Sequence, residues 1–229
     1  MLAGYHSLVQ QLPCSEALGS FLGQHLTSLL VDLLELEAAQ LIAEGKAICR
    51  NGFQQEQSLR LAFGSVVLKR PRLRGAVVAP GDFLKAMRSR QGFHHVPYLV
   101  LLGLARENLG TLQAYLRFSE SLWRTAESRF WERLRQWRAA GLDSFEQHCL
   151  VLEKIEFGED GPPLLVALAI DRIGEAQLLE LRPALDASAS EWSALCQSLK
   201  QRSLPAPTLV KGMVDVARRH WPQATALEV

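Results

Sequence analysis

The first 44 residues contain no lysine or arginine, which excludes a basic N-terminal arm and the charged start of a secretory signal. Cysteine is scarce and scattered. Cys14, Cys49, Cys149 and Cys196 form no CxxC pair, so neither a zinc ribbon nor a disulfide framework is indicated, and a reducing cytoplasm is the expected setting. No apolar run reaches the ~18 residues that mark a membrane-spanning helix, so no membrane partner is expected. P-loop, GxGxxG and GxSxG motifs are missing, which leaves nucleotide use and serine hydrolase chemistry without support. His94-His95 has no third ligand at metal-site spacing, and His148-Cys149 is in the same position.

What is present is a chain of 229 residues, enough to bury a sizeable core and to make two compact units. Its net charge of +1 suggests no polyanionic partner, but that total hides a segregation. Residues 1–44 carry five acids and a net of −5; residues 45–138 carry 17 basic against 6 acidic residues, a net of +11; residues 139–229 carry 8 against 13, again −5. A strongly basic middle is the electrostatic footprint of nucleic-acid binding.

Leu18, Leu22, Leu26, Leu29, Leu33, Leu36 and Leu41 approximate a helical period over residues 16–44, with Asp32, Glu35, Glu37 and Glu44 largely off the stripe. Such a helix serves its own core more often than it pairs with a second copy. Residues 58–63 then alternate apolar and polar, Gly64 punctuates, and residues 65–70 resume the extended pattern: a β-hairpin. Lys69, Arg70, Arg72 and Arg74 follow around Pro71, predicting cations on an exposed strand end. Charged strand ends usually serve only to keep edges solvated; phosphate binding is the better reading when other evidence for DNA joins them.

Residues 83–140 read as helical, with breaks near Gly92, at Gly103, around 108–110 and at Phe118-Ser119. A scaffold helix over 111–116, a turn at 118–120 and a longer helix from Ser121 predict a helix-turn-helix arrangement. Ser121, Arg124, Thr125 and Ser128 would reach base edges, and the later arginines, Arg129, Arg133, Arg135 and Arg138, would fix phosphates further along. Most of Trp123, Phe130, Trp131, Leu134 and Trp137 on that helix are assigned to core packing. Short helices with a turn are common in proteins that never touch DNA, so the pattern is not specific alone.

The period changes after residue 148. Residues 149–157, 164–170 and 176–181 read as strands, followed by a helix over 190–199, an apolar run at 208–210 and a helix over 213–220. The order β-β-β-α-β-α predicts the beginning of an RNase H-like fold. The fold class is therefore α+β: a helical N-terminal region (1–45), a β-hairpin and basic strand segment (46–82), a helix-turn-helix-like DNA-binding bundle (83–145) and an incomplete RNase H-like α/β domain (146–229).

Several dispersed motifs then point one way. Cys49-Arg-Asn-Gly-Phe53, the hairpin and Lys69-Arg-Pro-Arg-Leu-Arg-Gly75 resemble the RNG(Y/F)…PR.RG signature of bacterial Mutator-like insertion-sequence transposases. Residues 184–192 and 199–204 are similar to that family's ES…W…LK.RG stretch, and Gly212-Met213 with His220-Trp-Pro-Gln-Ala224 to its GL…(F/W)P.A helix. The resemblance runs from about residue 30 onward and corresponds to the first half to two-thirds of such an enzyme. It implies DNA cutting and joining by an Asp-Asp-Glu set holding two Mg²⁺ ions on an RNase H-like sheet, where paired hard cations activate the attacking oxygen and stabilise the leaving one.

The acids depart from that pattern. Glu153 stands at the first aspartate's place, which keeps the charge but lengthens the arm, and Mg²⁺ tolerates little departure from octahedral geometry. It is the sole candidate catalytic and metal-ligating residue. For the second acid, one alignment offers Thr208 and another puts Lys211-Gly212 in place of Asp-Gly; neither is a carboxylate. The third would lie beyond residue 229. Asp171 and Asp215 are assigned to turn and helix surfaces. The expectation is a truncated, catalytically inactive transposase relative that binds double-stranded DNA such as transposon ends and requires no cofactor. Two alternatives stand: an interaction protein that pairs, as homo-oligomer or with an intact transposase, through the first helix, and a metal-dependent strand-transfer enzyme completed by another chain.

Overall fold

The leucine stripe of the N-terminal third forms a helix, α1 (Ser15–Ala43), in a computed structural model that describes residues 15–61, 64–76, 80–81, 95–145 and 148–227. Leu22, Leu26, Leu29, Leu30, Leu33 and Leu34 are all at most 2% exposed, so most of the stripe is spent inside its own chain, with Leu36 and Leu41 half-buried. Each such side chain contributes about 1.5–3 kcal/mol when fully buried. The helix ends where Gly45 takes φ +70 and the amides of Lys46 and Ala47 return to the carbonyl of Leu41.

The described residues divide into two units: one comprises Gly19–Gly103 and Leu109–Leu134, the other Leu104–Asn108, the residues from Arg135 onward and the start of α1 as far as Leu18. In the first, the expected hairpin is β2 (Gln57–Leu61) against β3 (Gly64–Leu68), paired from Gln57 with Leu68 to Leu61 with Gly64. Leu59, Val66 and Leu68 share its buried face, as the alternation predicts. The basic run beyond it is not a free strand end. It forms β4 (Pro71–Arg74), which returns along a strand that sequence patterning missed, β1 (Cys49–Phe53), with Cys49 opposite Arg74 and Arg50 opposite Leu73. The amide of Gln54 donates to the carbonyl of Arg70, joining the two ladders into one bent ribbon.

Three helices follow: α2 (Val96–Arg106), α3 (Gly110–Leu116) and α4 (Glu120–Ala139). The breaks expected around 108–110 and at 118–119 are present. The one expected at Gly103 is not, because the residue lies within α2, where buried Val100, Leu101, Leu104 and Ala105 continue the apolar pattern on both sides of it. The break expected near Gly92 and the residue His94 lie outside the described residues.

The second unit holds β5 (Cys149–Ile155), β6 (Leu164–Ile170), β7 (Ala176–Pro183), α5 (Ala189–Gln201), β8 (Leu209–Lys211), α6 (Val214–His220) and β9 (Thr225–Ala226). The sheet order is β7-β6-β5-β8-β9: three antiparallel strands, then β8 parallel to β5 and β9 parallel to β8. Leu150, Leu152, Leu165, Ala167 and Val210 of the sheet pack with Trp192, Leu195, Leu199, Val216 and Trp221 in one core. The class is mixed α+β. No helix among the described residues is long and apolar enough to cross a membrane.

Candidate nucleic-acid interface and carboxylate position

The cations and hydroxyls expected to meet DNA fall into separate environments. On the ribbon, Lys69 is exposed and pairs with Glu56 at 2.9 Å. Arg70 is not on the surface: it is 8% exposed, and its Nη2 donates to Gln54 Oε1 at 2.8 Å, so it holds the bend of the ribbon. Arg72 and Arg74 are exposed, two residues apart on β4, and neither has an ion pair among the described residues.

On α4, Ser121, Thr125 and Ser128 are exposed and Arg124 extends into solvent bonded to Glu120. Thr125 Oγ1 reaches back to the Ser121 carbonyl at 3.4 Å. Arg129 and Arg133, the expected phosphate contacts, both lie on Asp32 of α1, at 3.3 and 2.7 Å. Two guanidiniums on one carboxylate leave a net charge of +1 where the sequence promised +2. Trp123, Phe130 and Leu134 are buried, as expected of core residues. The turn before α4 is built by Arg117 at φ +58, and Glu127 Oε1 accepts from the Leu109 amide at 3.0 Å, tying the start of α3 to α4. Beside this cluster His25 is buried with its ring edge-on to Phe21 and Phe130; burial first, and then the Arg133 charge, lower its pKa to about 4.

In the second unit Glu153 sits half-buried on β5 opposite Val166. Lys211 pairs with Val151 in the parallel ladder of β8, and alternation along β5 puts Val151 and Glu153 on one face. The face that carries Glu153 therefore also carries an ammonium, one pair along and on the neighbouring strand. The next residue, Gly212, has φ +97, and a Cβ there would lie 2.0 Å from the Leu152 carbonyl oxygen. Only glycine allows this close approach as the chain leaves β8.

Among the described residues no three His, Cys, Asp or Glu side chains converge as metal ligands. One carboxylate beside a lysine does not fit a two-metal site, since the lysine charge opposes a dication. The other acids are occupied locally: Asp171 Oδ1 accepts from the amides of Ile173 and Glu175 at 2.9 Å each, closing the β6–β7 turn, and Asp215 lies exposed in the first turn of α6.

Sequence patterning missed one polar cluster, which withdraws Arg138 from the phosphate contacts expected of it. Glu180 on edge strand β7 is 3% exposed, with Arg202 Nη1 at 3.3 Å and Arg138 Nε at 3.4 Å. Arg202 also donates to the carbonyls of Ala140, Trp137 and Leu179, and Arg138 to that of Leu181. The two guanidiniums thus satisfy the end of α4 and carbonyls of β7 together. Burial pushes the Glu180 carboxyl up although the arginines pull it down, and burial likewise draws both arginines below their ordinary range. Desolvation outweighs attraction at all three groups. The available signal was an acid inside the apolar run Leu178-Leu179-Glu180-Leu181, a charge that needs a buried partner.

No family model matches the chain, and no curated protein matches it.

Proposed function

We propose that the chain is a DNA-binding protein related to the insertion-sequence transposases, and that it does not cut DNA by itself. The observation that carries this reading is the sheet order of the second unit. Three antiparallel strands followed by two parallel ones, with a helix between β7 and β8 and another between β8 and β9, is the arrangement an RNase H-like sheet would have. It supports the transposase resemblance because the motifs and the topology are independent of each other. In that reading Glu153 occupies the first acid position on the central strand, and Lys211-Gly212 the second, at the end of the adjacent parallel strand. A lysine in place of the second carboxylate removes a ligand and adds repulsion, so the site is inactive.

DNA binding rests on the charge of residues 45–138 and on the α3-turn-α4 pair, which has the lengths of a helix-turn-helix. The reading in which α1 pairs with an intact transposase gains little from the structure, since Leu18, Leu22, Leu26, Leu29 and Leu33 of its stripe are already covered and Leu36 and Leu41 are half-buried.

Fluorescence anisotropy with duplex DNA at two salt concentrations in Mg²⁺, with the products run on a denaturing gel, tests the proposal. Binding that weakens steeply with salt and leaves the DNA intact is expected. Mg²⁺-dependent nicks would restore catalysis, and no binding at low salt would remove the DNA-binding reading.

A further inference from the structure

The two elements that carry the expected DNA contacts differ in how much charge they leave uncompensated. On α4 four of the arginines assigned to DNA have a carboxylate partner: Arg124 has Glu120, Arg129 and Arg133 share Asp32, and Arg138 has Glu180. On the ribbon formed by β1 and β4, Arg72 and Arg74 have none among the described residues.

The geometry of that ribbon sorts its side chains. Cys49 pairs with Arg74 and Arg50 with Leu73, so alternation places Cys49, Asn51, Arg72 and Arg74 on one face. The register shifts between Arg50 and Phe53, where Gly52 takes φ +74. This bulge turns Phe53, opposite Pro71, to the same side as Arg50, whose guanidinium lies 4.5 Å from the Phe53 ring centroid. Arg50 also holds Glu35 of α1 through two 2.7 Å hydrogen bonds. One face is therefore committed to α1, and the opposite face, with Asn51, Arg72 and Arg74 exposed and no carboxylate among its four residues, is turned away from it.

We infer that this ribbon face enters the major groove of duplex DNA and reads bases, with Asn51 and the two arginines as the contacts. A two-stranded ribbon fits the groove, about 12 Å wide, and a primary amide and guanidiniums are the groups that bond adenine and guanine edges in pairs. The bulge and the Arg50 anchor fix the orientation of the ribbon, so little backbone ordering remains to be done at binding. The α4 face then positions the protein on the backbone. This inference rests on the DNA-binding reading above and assigns its specificity to a different element.

Selection of duplexes from a random library by the full-length chain, followed by anisotropy on the enriched and a scrambled duplex, tests it. Wild type is expected to enrich a preferred sequence. Asn51→Ala should weaken the enriched duplex about tenfold and leave the scrambled one unchanged, and Asn51→Asp, nearly isosteric, should abolish the preference. Arg72→Ala with Arg74→Ala should weaken the enriched duplex more than the scrambled one and relax the preference, while Ser121→Ala/Thr125→Ala/Ser128→Ala should keep the preferred sequence. Unchanged circular-dichroism melts exclude misfolding as the cause. Ribbon variants that select and bind as wild type overturn the inference and leave DNA binding standing, as does a wild type that binds but enriches nothing. A wild type that binds no duplex at low salt overturns both.

Discussion

Arginine is put to opposite uses in the two units. In the second, Arg138 and Arg202 are withdrawn from water onto Glu180 and onto carbonyls at the end of α4 and along β7. In the first, Arg72 and Arg74 are held in water by a ribbon whose other face is anchored, and Arg129 and Arg133 lie between, half-compensated by Asp32. The same side chain is therefore spent on the fold in one place and left to solvent in another. Composition cannot separate these uses, because what separates them is whether a carboxylate or a row of carbonyls stands opposite.

The largest effect should come from breaking the buried set. Arg202→Ala leaves Glu180 with one poor partner and several carbonyls with none, and truncating one member of such a cluster costs about 3–5 kcal/mol. Urea unfolding read by tryptophan fluorescence measures it. A loss below about 1 kcal/mol would mean the cluster is solvated and the contrast with Arg72 and Arg74 is false. Glu180→Gln, which keeps an acceptor for one guanidinium and leaves no buried carboxylate, should cost less than Arg202→Ala.

Next in size is an acid sensitivity confined to the first unit. His25 has an ordinary value of 6.5 and is held at about 4 by burial and the Arg133 charge. Its folded value is depressed, so the unfolded chain takes the proton first as pH falls. The stability contributed by keeping the ring neutral is complete above pH 6.5, declines as pH falls and is gone below about 4. It amounts to about 3 kcal/mol. Thermal melts across that window should show the loss in wild type and a flatter profile in His25→Phe. Equal slopes would place the ring in solvent.

A third test concerns counterions. If Arg72 and Arg74 read base edges, replacing either by alanine relaxes the sequence preference and leaves the slope of log affinity against log salt nearly unchanged. A slope lowered by about one at either position would make it a phosphate contact and break the ribbon's base-reading role.

How far these differences were legible follows from what periodicity can report. The leucine stripe of α1, the β2–β3 hairpin, the turn at 118–119 and the strands β5 to β7 each carry a local repeat, and each formed within a few residues of where it was expected. Strands β1 and β9 carry none. Arg50, Asn51 and Gly52 are exposed and polar, and two residues suffice for β9, so both exist only because a partner strand lies alongside. Arg70 looked like its neighbours in the basic run, yet the bend between β3 and β4 turns it inward. Glu153 and Lys211 were legible as residues, but their shared face required the parallel register of β5 with β8, a contact between positions about 60 apart in sequence that no local pattern encodes. The Glu180 cluster similarly joins residues from α4, β7 and the end of α5.

The smallest effect separates the two candidate DNA-contacting elements most directly. Arg124 and Glu120 are both exposed, 75% and 69% at their side chains, and are spaced as i and i+4 on α4. Pairs of this kind contribute about 0.3–0.5 kcal/mol, so Arg124→Ala should barely move the unfolding midpoint. Its effect on DNA affinity then reports chemistry alone. If α4 reads bases, Arg124 is its best-placed guanidinium, and its loss should change the sequence selected. If the ribbon reads them and α4 only follows the backbone, the selected sequence stays the same and affinity falls by a similar factor for every duplex, a distinction visible by comparing enriched and scrambled DNA at one salt concentration.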